Sequence, residues 1–165
     1  MNDIDWKKDG ELKRHVKKFF LYPVFWDDKK NEFTHKHKKW KKIKFIDANH
    51  SKIPSKRGVY AFALKPSYKS LFPTNYLFYV GKTQRTLKER YKEYIRERDS
   101  GKKYRIKVKK MLKQYDGYLY FYYLELNTAK QVTESENVLL NTFVPHINVQ
   151  IPKAKIDPLL KYIYE

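Results

Sequence analysis

The sequence predicts an α+β fold, in which helices flank a small, largely antiparallel, three-stranded sheet. Two segments rich in aromatic and β-branched residues lie near one another in the chain, and a third follows after two helical patterns. A long helical pattern comes last, so the predicted order of elements is β-β-α-α-β-α. At 165 residues, 41% of them apolar, the chain is long enough for one domain with a substantial core.

The three predicted strands cover residues 57–64, 75–81 and 117–126, with the sequences RGVYAFAL, NYLFYVG and GYLYFYYLEL. Each combines tyrosine or phenylalanine with valine, leucine or alanine, as half-buried strands do. The segment between the first two, KPSYKSLFPTN, contains two prolines and is longer than a tight hairpin requires. We therefore expect an antiparallel pair joined by an extended loop.

Three helices are predicted from apolar spacing and end signals. The first covers 86–99, where Thr86 and Glu89 have the spacing of a capping box and Ser100-Gly101 ends the pattern. The second is a basic helix over 103–114. The third runs from a cap at Thr128 to Phe143 and is stopped by Pro145.

The charge of the chain favours a polyanionic partner. Lys and Arg number 37 against 18 Asp and Glu, a net charge of +19, and such a field attracts nucleic acid phosphates or an anionic membrane. The excess is concentrated in residues 81–113, which hold 14 basic and 4 acidic residues. A solvated helix face is the simpler explanation, but counterion release favours nucleic acid. The candidate phosphate-binding residues are Arg85, Lys102, Lys103, Arg105 and Lys107.

The lack of cysteine and the short apolar runs bear on where in the cell the protein is expected. The chain has no cysteine, which excludes disulfides and thiolate metal sites. Its longest apolar run, 19–26, is too short to span a bilayer, and the N-terminus lacks a basic signal-peptide region. We therefore expect a cytoplasmic protein without membrane contact. Residues 1–54 form a basic and aromatic extension suited to DNA recognition or dimerisation, and 151–165 form a tail packing on the domain.

One carboxylate interrupts the apolar side of the last predicted helix. Glu136 lies four residues after Val132 and four before Leu140. A carboxylate on such a face is costly unless a cation compensates it. An ion pair with Arg90 and a metal site are both consistent with the spacing.

The ordered motifs of residues 55–150 resemble the GIY-YIG nuclease superfamily. They are GVY at 58–60, YVG at 79–81 followed by Lys82, Arg90 nine residues after the second glycine, and Glu136 and Asn148 twelve residues apart. Valine replaces isoleucine in both tripeptides. Eighteen residues separate Tyr60 from Tyr79, a longer spacing than in compact members and one that indicates the restriction-endonuclease-like branch.

The resemblance implies a role for each motif residue. Tyr60 would activate the attacking water as general base, and Tyr79 would contact the scissile phosphate or place that water. Arg90 would bind the phosphate. Glu136 would hold one divalent metal ion, Mg²⁺ or Mn²⁺. The remaining positions that match the family's site are Lys82, in a slot that is often basic, Tyr94, in a slot for His or Tyr, and Asn148, which would buttress the site.

These roles agree with elementary chemistry. Phosphodiester hydrolysis needs an activated water and neutralisation of developing charge. A tyrosine with a pKa of about 10 is a poor base at neutral pH, but Lys82, Arg90 and a metal ion would each favour its phenolate. Arg90 and Tyr94 are four residues apart on a helix and share a face. Hydrophobic packing is the alternative role for each tyrosine.

The sequence thus predicts a metal-dependent endonuclease acting on DNA, site-selective and of a restriction or phage-defence kind, with RNA as the open alternative substrate. Because one such site cuts one strand, duplex cleavage would require a homodimer on DNA or two successive visits. The alternative function is a non-catalytic nucleic-acid-binding module that uses the same basic surface.

Overall fold

The computed structural model describes residues 6–27, 38–66, 74–101 and 105–148. It has the predicted α+β class, with a four-stranded antiparallel sheet in the order β1-β4-β2-β3. The strands are β1 Lys41–Lys44, β2 Gly58–Leu64, β3 Tyr76–Thr83 and β4 Leu119–Glu125. The helices are α1 Trp6–His15, α2 Pro23–Asp27, a 3₁₀ helix Asp47–Lys52, α3 Leu87–Asp99, α4 Ile106–Gln114 and α5 Ala129–Phe143.

Strand β2 is the centre of the sheet and is covered on both faces. It pairs with β3 on one side and β4 on the other, and six of its seven residues are buried. Because side chains alternate along a strand, Tyr60 and Phe62 point to the face covered by α3 and α4, while Val59 and Ala61 point to the face covered by α5. These two apolar layers form the core.

The helix ends follow the predicted capping chemistry. The Thr86 hydroxyl accepts a hydrogen bond from the Glu89 N–H at 3.0 Å, and the Glu89 carboxylate accepts one from the Thr86 N–H, which confirms the capping box. Thr128 caps α5 in the same way, with Gln131 as its partner. Helix α4 begins at Ile106, three residues later than predicted.

The prediction of three strands is wrong, because the segment Lys41–Lys44 adds a fourth. Its sequence KKIK contains one partly buried residue, Ile43, so it has no apolar alternation to mark it as a strand. The segment is held instead by pairing with β4, in a register that places Lys41 opposite Tyr123. Lysine-rich edge strands are common because charge discourages pairing with other molecules.

The N-terminal segment lies against α4 and β3. The Gln114 side chain donates to the Arg14 carbonyl at 2.9 Å, and the Phe19 ring stacks on Phe78 with centroids 5.8 Å apart. None of the helices in the described ranges is long and apolar enough to cross a membrane. The predicted C-terminal tail, 151–165, lies outside the described residues.

Candidate active site

The two tyrosine-glycine motifs meet where Gly81 makes room for Tyr60. These residues are directly opposite one another in the β2–β3 pair, so a side chain at Gly81 would point to the same face as the Tyr60 ring. A Cβ atom built on Gly81 would lie 2.5 Å from the Tyr60 hydroxyl oxygen and 2.7 Å from its Cζ. Only glycine therefore allows the phenol to lie across β3.

The Tyr60 hydroxyl belongs to a hydrogen-bonded chain of two tyrosines and two arginines. It lies 2.9 Å from the Tyr94 hydroxyl and accepts a hydrogen bond from Arg90 Nε, also at 2.9 Å. The Tyr94 hydroxyl in turn accepts from Arg105 Nη1 at 3.2 Å. Arg90 and Arg105 also lie over the Tyr94 ring, 5.0 and 4.8 Å from its centroid. We call Tyr60, Tyr94, Arg90 and Arg105 the tyrosine–arginine cluster.

Burial and cation contact act in opposite directions on the two phenols. Both side chains are fully buried. Burial raises the pKa of Tyr60 well above its ordinary value, and the neighbouring Tyr79 adds to this, whereas Arg90 and the hydrogen bond from Tyr94 lower it. Burial likewise raises the pKa of Tyr94, against the effect of Arg90 and Arg105. Tyr60 is therefore neutral at pH 7 in this state, beside one cation, Arg90, that would favour its phenolate.

Two glutamates fix the arginines of the tyrosine–arginine cluster. Glu93 accepts from Arg90 Nη1 at 2.8 Å and also pairs with Arg85. Glu97, whose side chain is 8% exposed, pairs with Arg105. Burial raises the pKa of Glu97, and Arg105 opposes that shift. Each guanidinium is thus held in place from the side away from the phenols, which orients its remaining donors.

Tyr79 extends the aromatic surface beside the cluster. Its ring centroid is 6.4 Å from that of Tyr60 and 6.3 Å from that of Tyr94, and its side chain is half-buried. It lies on the same face of the sheet as Tyr60, because it is two residues from Gly81 along β3 and Gly81 is directly opposite Tyr60. The structure therefore brings together Tyr60, Tyr79, Arg90 and Tyr94.

Lys82 and Glu136 lie on the opposite face of the sheet. Lys82 follows Gly81 and is paired with Val59, so its side chain points toward α5. There the Lys82 ammonium forms an ion pair with Glu136 at 2.8 Å, and the two side chains are 33% and 15% exposed. The partner that offsets the buried carboxylate is thus Lys82, whereas Arg90 pairs with Glu93.

Glu136 could hold a metal ion only as a single carboxylate ligand. Among the described residues, no group of three or more His, Cys, Asp or Glu side chains could hold a metal. Mg²⁺ keeps several waters and is commonly bound through one or two carboxylates plus substrate phosphates. Glu136 meets that requirement as a single carboxylate, on condition that Lys82 releases it when the cation binds.

Asn148 supports the exposed edge of β3. Its side-chain oxygen accepts a hydrogen bond from the Val80 N–H at 3.0 Å, and its side-chain nitrogen donates to the Val80 carbonyl at 2.7 Å. The preceding residue, Ile147, donates its N–H to the Phe78 carbonyl. Asn148 therefore acts as a short substitute for a neighbouring strand and holds the YVG motif in position, in keeping with the predicted buttressing role.

The predicted phosphate-binding residues have different surroundings. Arg85 and Lys107 are exposed, while Arg105 is drawn into the tyrosine–arginine cluster. Lys102 and Lys103 lie outside the described residues. Sequence reasoning did not identify Glu93 or Glu97; the three-residue spacing of Arg90 and Glu93 could have indicated the first.

Comparisons of the chain with protein-family models, with curated proteins and with solved structures find no match. The likeness to GIY-YIG nucleases therefore depends on the motif residues alone.

Proposed function

We propose that the protein is a divalent-metal-dependent endonuclease of the GIY-YIG type that hydrolyses phosphodiester bonds in DNA. The observation that carries the proposal is the Tyr60 hydroxyl, held between Arg90 and Tyr94 at 2.9 Å from each. A purely structural buried tyrosine needs one hydrogen-bond partner. Two guanidinium groups directed at a pair of phenols form a site suited to an anion and to proton transfer.

In the proposed reaction Arg90 binds the scissile phosphate and Tyr60 takes a proton from the attacking water. Only the phenolate form of Tyr60 can do so. Its raised pKa keeps the hydroxyl protonated in the free protein, and Arg90 supplies the positive charge that favours ionisation. Tyr60 would first lose its own proton to solvent, and the Tyr94 hydroxyl, 2.9 Å away, would then donate a hydrogen bond to the phenolate.

Glu136 would hold the divalent cation, Mg²⁺ or Mn²⁺. A cation bound there would neutralise charge on the phosphate and its leaving oxygen. Lys82 has two functions in this proposal. It neutralises Glu136 in the free protein, as the 2.8 Å ion pair indicates, and its displacement would leave the carboxylate available to a cation.

The proposed enzyme is site-selective and acts as a homodimer on duplex DNA. Each chain contains one Tyr60 and one Glu136, so one chain hydrolyses one strand. A two-fold arrangement then places a second site on the complementary strand. The N-terminal extension supplies basic and aromatic residues beyond those of the site, which suits contacts with bases or with a partner subunit.

The proposal is tested by incubating the purified protein with supercoiled plasmid in Mg²⁺ and in EDTA. We expect relaxed or linear products in Mg²⁺ alone. Glu136→Ala should remove cleavage and leave DNA binding intact or tighter, because it removes a negative charge near the phosphate. Cleavage by Glu136→Ala at the wild-type rate in Mg²⁺ would refute the metal assignment.

A non-catalytic nucleic-acid-binding module is the second candidate, and one observation favours it. The tyrosine–arginine cluster and the Lys82–Glu136 pair lie on opposite faces of the sheet, and Tyr60 is fully buried. A binding module would retain that separation and bind DNA without cutting it. Binding at low salt together with intact plasmid in both Mg²⁺ and Mn²⁺ would favour this candidate.

A further inference from the structure

An open basic cleft lies between the N-terminal segment and α4. It has a volume of about 1350 Å³, more than the roughly 300–1,000 Å³ typical of small-molecule sites. Five cationic side chains line it and one carboxylate, that of Glu11, does so. The five, which we call the cleft cations, are Arg14, Lys17, Lys107, Lys110 and Lys113.

The cleft cations include a row on α4, and no carboxylate of the described residues pairs with them. Lys107, Lys110 and Lys113 are spaced three residues apart, so they follow one side of α4. Across the described ranges, no carboxylate forms an ion pair with any of the five. A row of uncompensated cations is costly to hold together unless a polyanion binds it.

A partly buried histidine lies in the same excess of positive charge. His146 lines the cleft. Burial lowers its pKa, and Lys17, Lys107 and Lys18 lower it further. All three lysines disfavour a further positive charge on the imidazole. The cleft therefore has a positive potential that extends to its floor.

The cleft and the candidate active site share neighbouring residues of the chain. Phe78 and Ile147 line the cleft, and the next residue in each case, Tyr79 or Asn148, belongs to the site. Neighbouring Cα atoms are about 3.8 Å apart, so the backbone that bounds the cleft is the backbone that carries these two site residues. Phe78 is 2% exposed and Tyr115 8% exposed, so neither of these two rings is open to stacking by a base.

We propose that this cleft binds the sugar–phosphate backbone of the DNA that flanks the cleaved bond, without reading its bases. The inference rests on the proposed nuclease function for its choice of DNA, whereas the charge and shape of the cleft do not depend on catalysis. It assigns the N-terminal extension a direct part in substrate binding through Arg14 and Lys17, and α4 the other wall.

The test compares two triple variants that remove equal charge. One replaces Lys107, Lys110 and Lys113 by Gln; the control replaces Lys56, Lys92 and Lys130, three exposed lysines outside both the cleft and the N-terminal extension. Binding to a duplex of random sequence is measured against salt in a Glu136→Ala background. The cleft variant should lose about 0.9 of the log–log salt slope per phosphate contact removed, and the control should retain the wild-type slope.

Each result decides the matter. Equal losses in both variants would refute the cleft, since net charge alone would then explain binding. The same variants are tested for binding to equimolar phosphatidylcholine–phosphatidylserine vesicles. A cleft variant that retains DNA binding but loses vesicle binding would also refute the proposal and assign the surface to lipid. If only the cleft variant loses DNA binding, and the wild-type protein does not cut plasmid, the nuclease proposal is refuted and the cleft proposal stands.

A second measurement guards against altered folding of the variants. The chain contains no cysteine, so Lys110→Cys carries a unique thiol for a photo-crosslinker. Crosslinking to duplex DNA from Lys110→Cys, and none from the exposed position Lys130→Cys, is the expected result. The reverse pattern would refute the proposal.

Discussion

Gly81→Ala isolates the contact on which the candidate site is built. The added Cβ would lie 2.5, 2.7 and 2.9 Å from three atoms of the Tyr60 ring and hydroxyl, whereas carbon atoms in contact are about 3.5–4.0 Å apart. The ring must therefore move by about 1 Å. It has little freedom to do so, because it stacks on Phe121 with a centroid distance of 5.2 Å and its hydroxyl is fixed by Arg90 and Tyr94.

The expected cost follows from these contacts. Overpacking a core costs about 1–3 kcal/mol, and weakening one buried hydrogen bond adds about 1 kcal/mol. We expect Gly81→Ala to lower the free energy of unfolding by about 2–4 kcal/mol. For a chain of this size the melting temperature should then fall by roughly 4–16 °C. Thermal unfolding followed by far-ultraviolet circular dichroism measures the shift.

Two matched variants separate this contact from a general glycine effect. Gly101→Ala is the control, because nothing lies within 4 Å of a Cβ at that position; its effect on stability should be near zero. In a Tyr60→Leu background, which lacks the outer ring atoms, Gly81→Ala should cost far less than in the wild type. The same loss of stability in both backgrounds would show that the contact with Tyr60 is not the cause. Equal melting temperatures for Gly81→Ala and Gly101→Ala would show the same.

Three further predictions concern the surroundings of the site. Asn148→Asp removes the donor to the Val80 carbonyl and should lower the free energy of unfolding in urea by about 1–3 kcal/mol; unchanged stability would contradict the edge-strand role. Burial raises the pKa of Tyr91 to about 12, so the unfolded chain ionises first and stability should fall between about pH 10 and 12. Tyr91→Phe should make that fall shallower. An identical dependence of stability on pH in Tyr91→Phe and in the wild type would disprove the contribution of Tyr91. Lys82→Met removes the competitor 2.8 Å from Glu136, so calorimetric titration should show tighter Mg²⁺ binding; weaker binding would rule out competition.

Local chemistry explains which parts of the fold the sequence predicted. Helix α3 was predictable because its start is determined by Thr86 and Glu89, neighbours in the chain that form their capping box locally. Strand β1 was not, because KKIK has no apolar alternation and its position depends on hydrogen bonds to β4, which is about 75 residues away in sequence. Pairing at that distance leaves no trace in a short window.

The same distinction applies to the site. The i, i+4 spacing of Arg90 and Tyr94 predicts their shared helix face, and the structure has both at the Tyr60 hydroxyl. Arg105 was expected on the basic surface, and its contact with Tyr94 arises only when α3 and α4 pack together. The face occupied by Lys82 could have been deduced from strand alternation once the register with β2 was known, and that register is a tertiary feature.

The rate of plasmid nicking in Mg²⁺ by Tyr60→Phe tests most directly whether Tyr60 acts as the general base. This variant retains the ring and its packing and removes only the ionisable oxygen. Tyr118→Phe is the control, because that tyrosine is 54% exposed and lies away from the cluster. We predict that Tyr60→Phe nicks at least about 100-fold more slowly than the wild type, the scale of a lost general base, while Tyr118→Phe is unchanged. Nicking by Tyr60→Phe at the wild-type rate would contradict the account and leave Tyr60 a core residue.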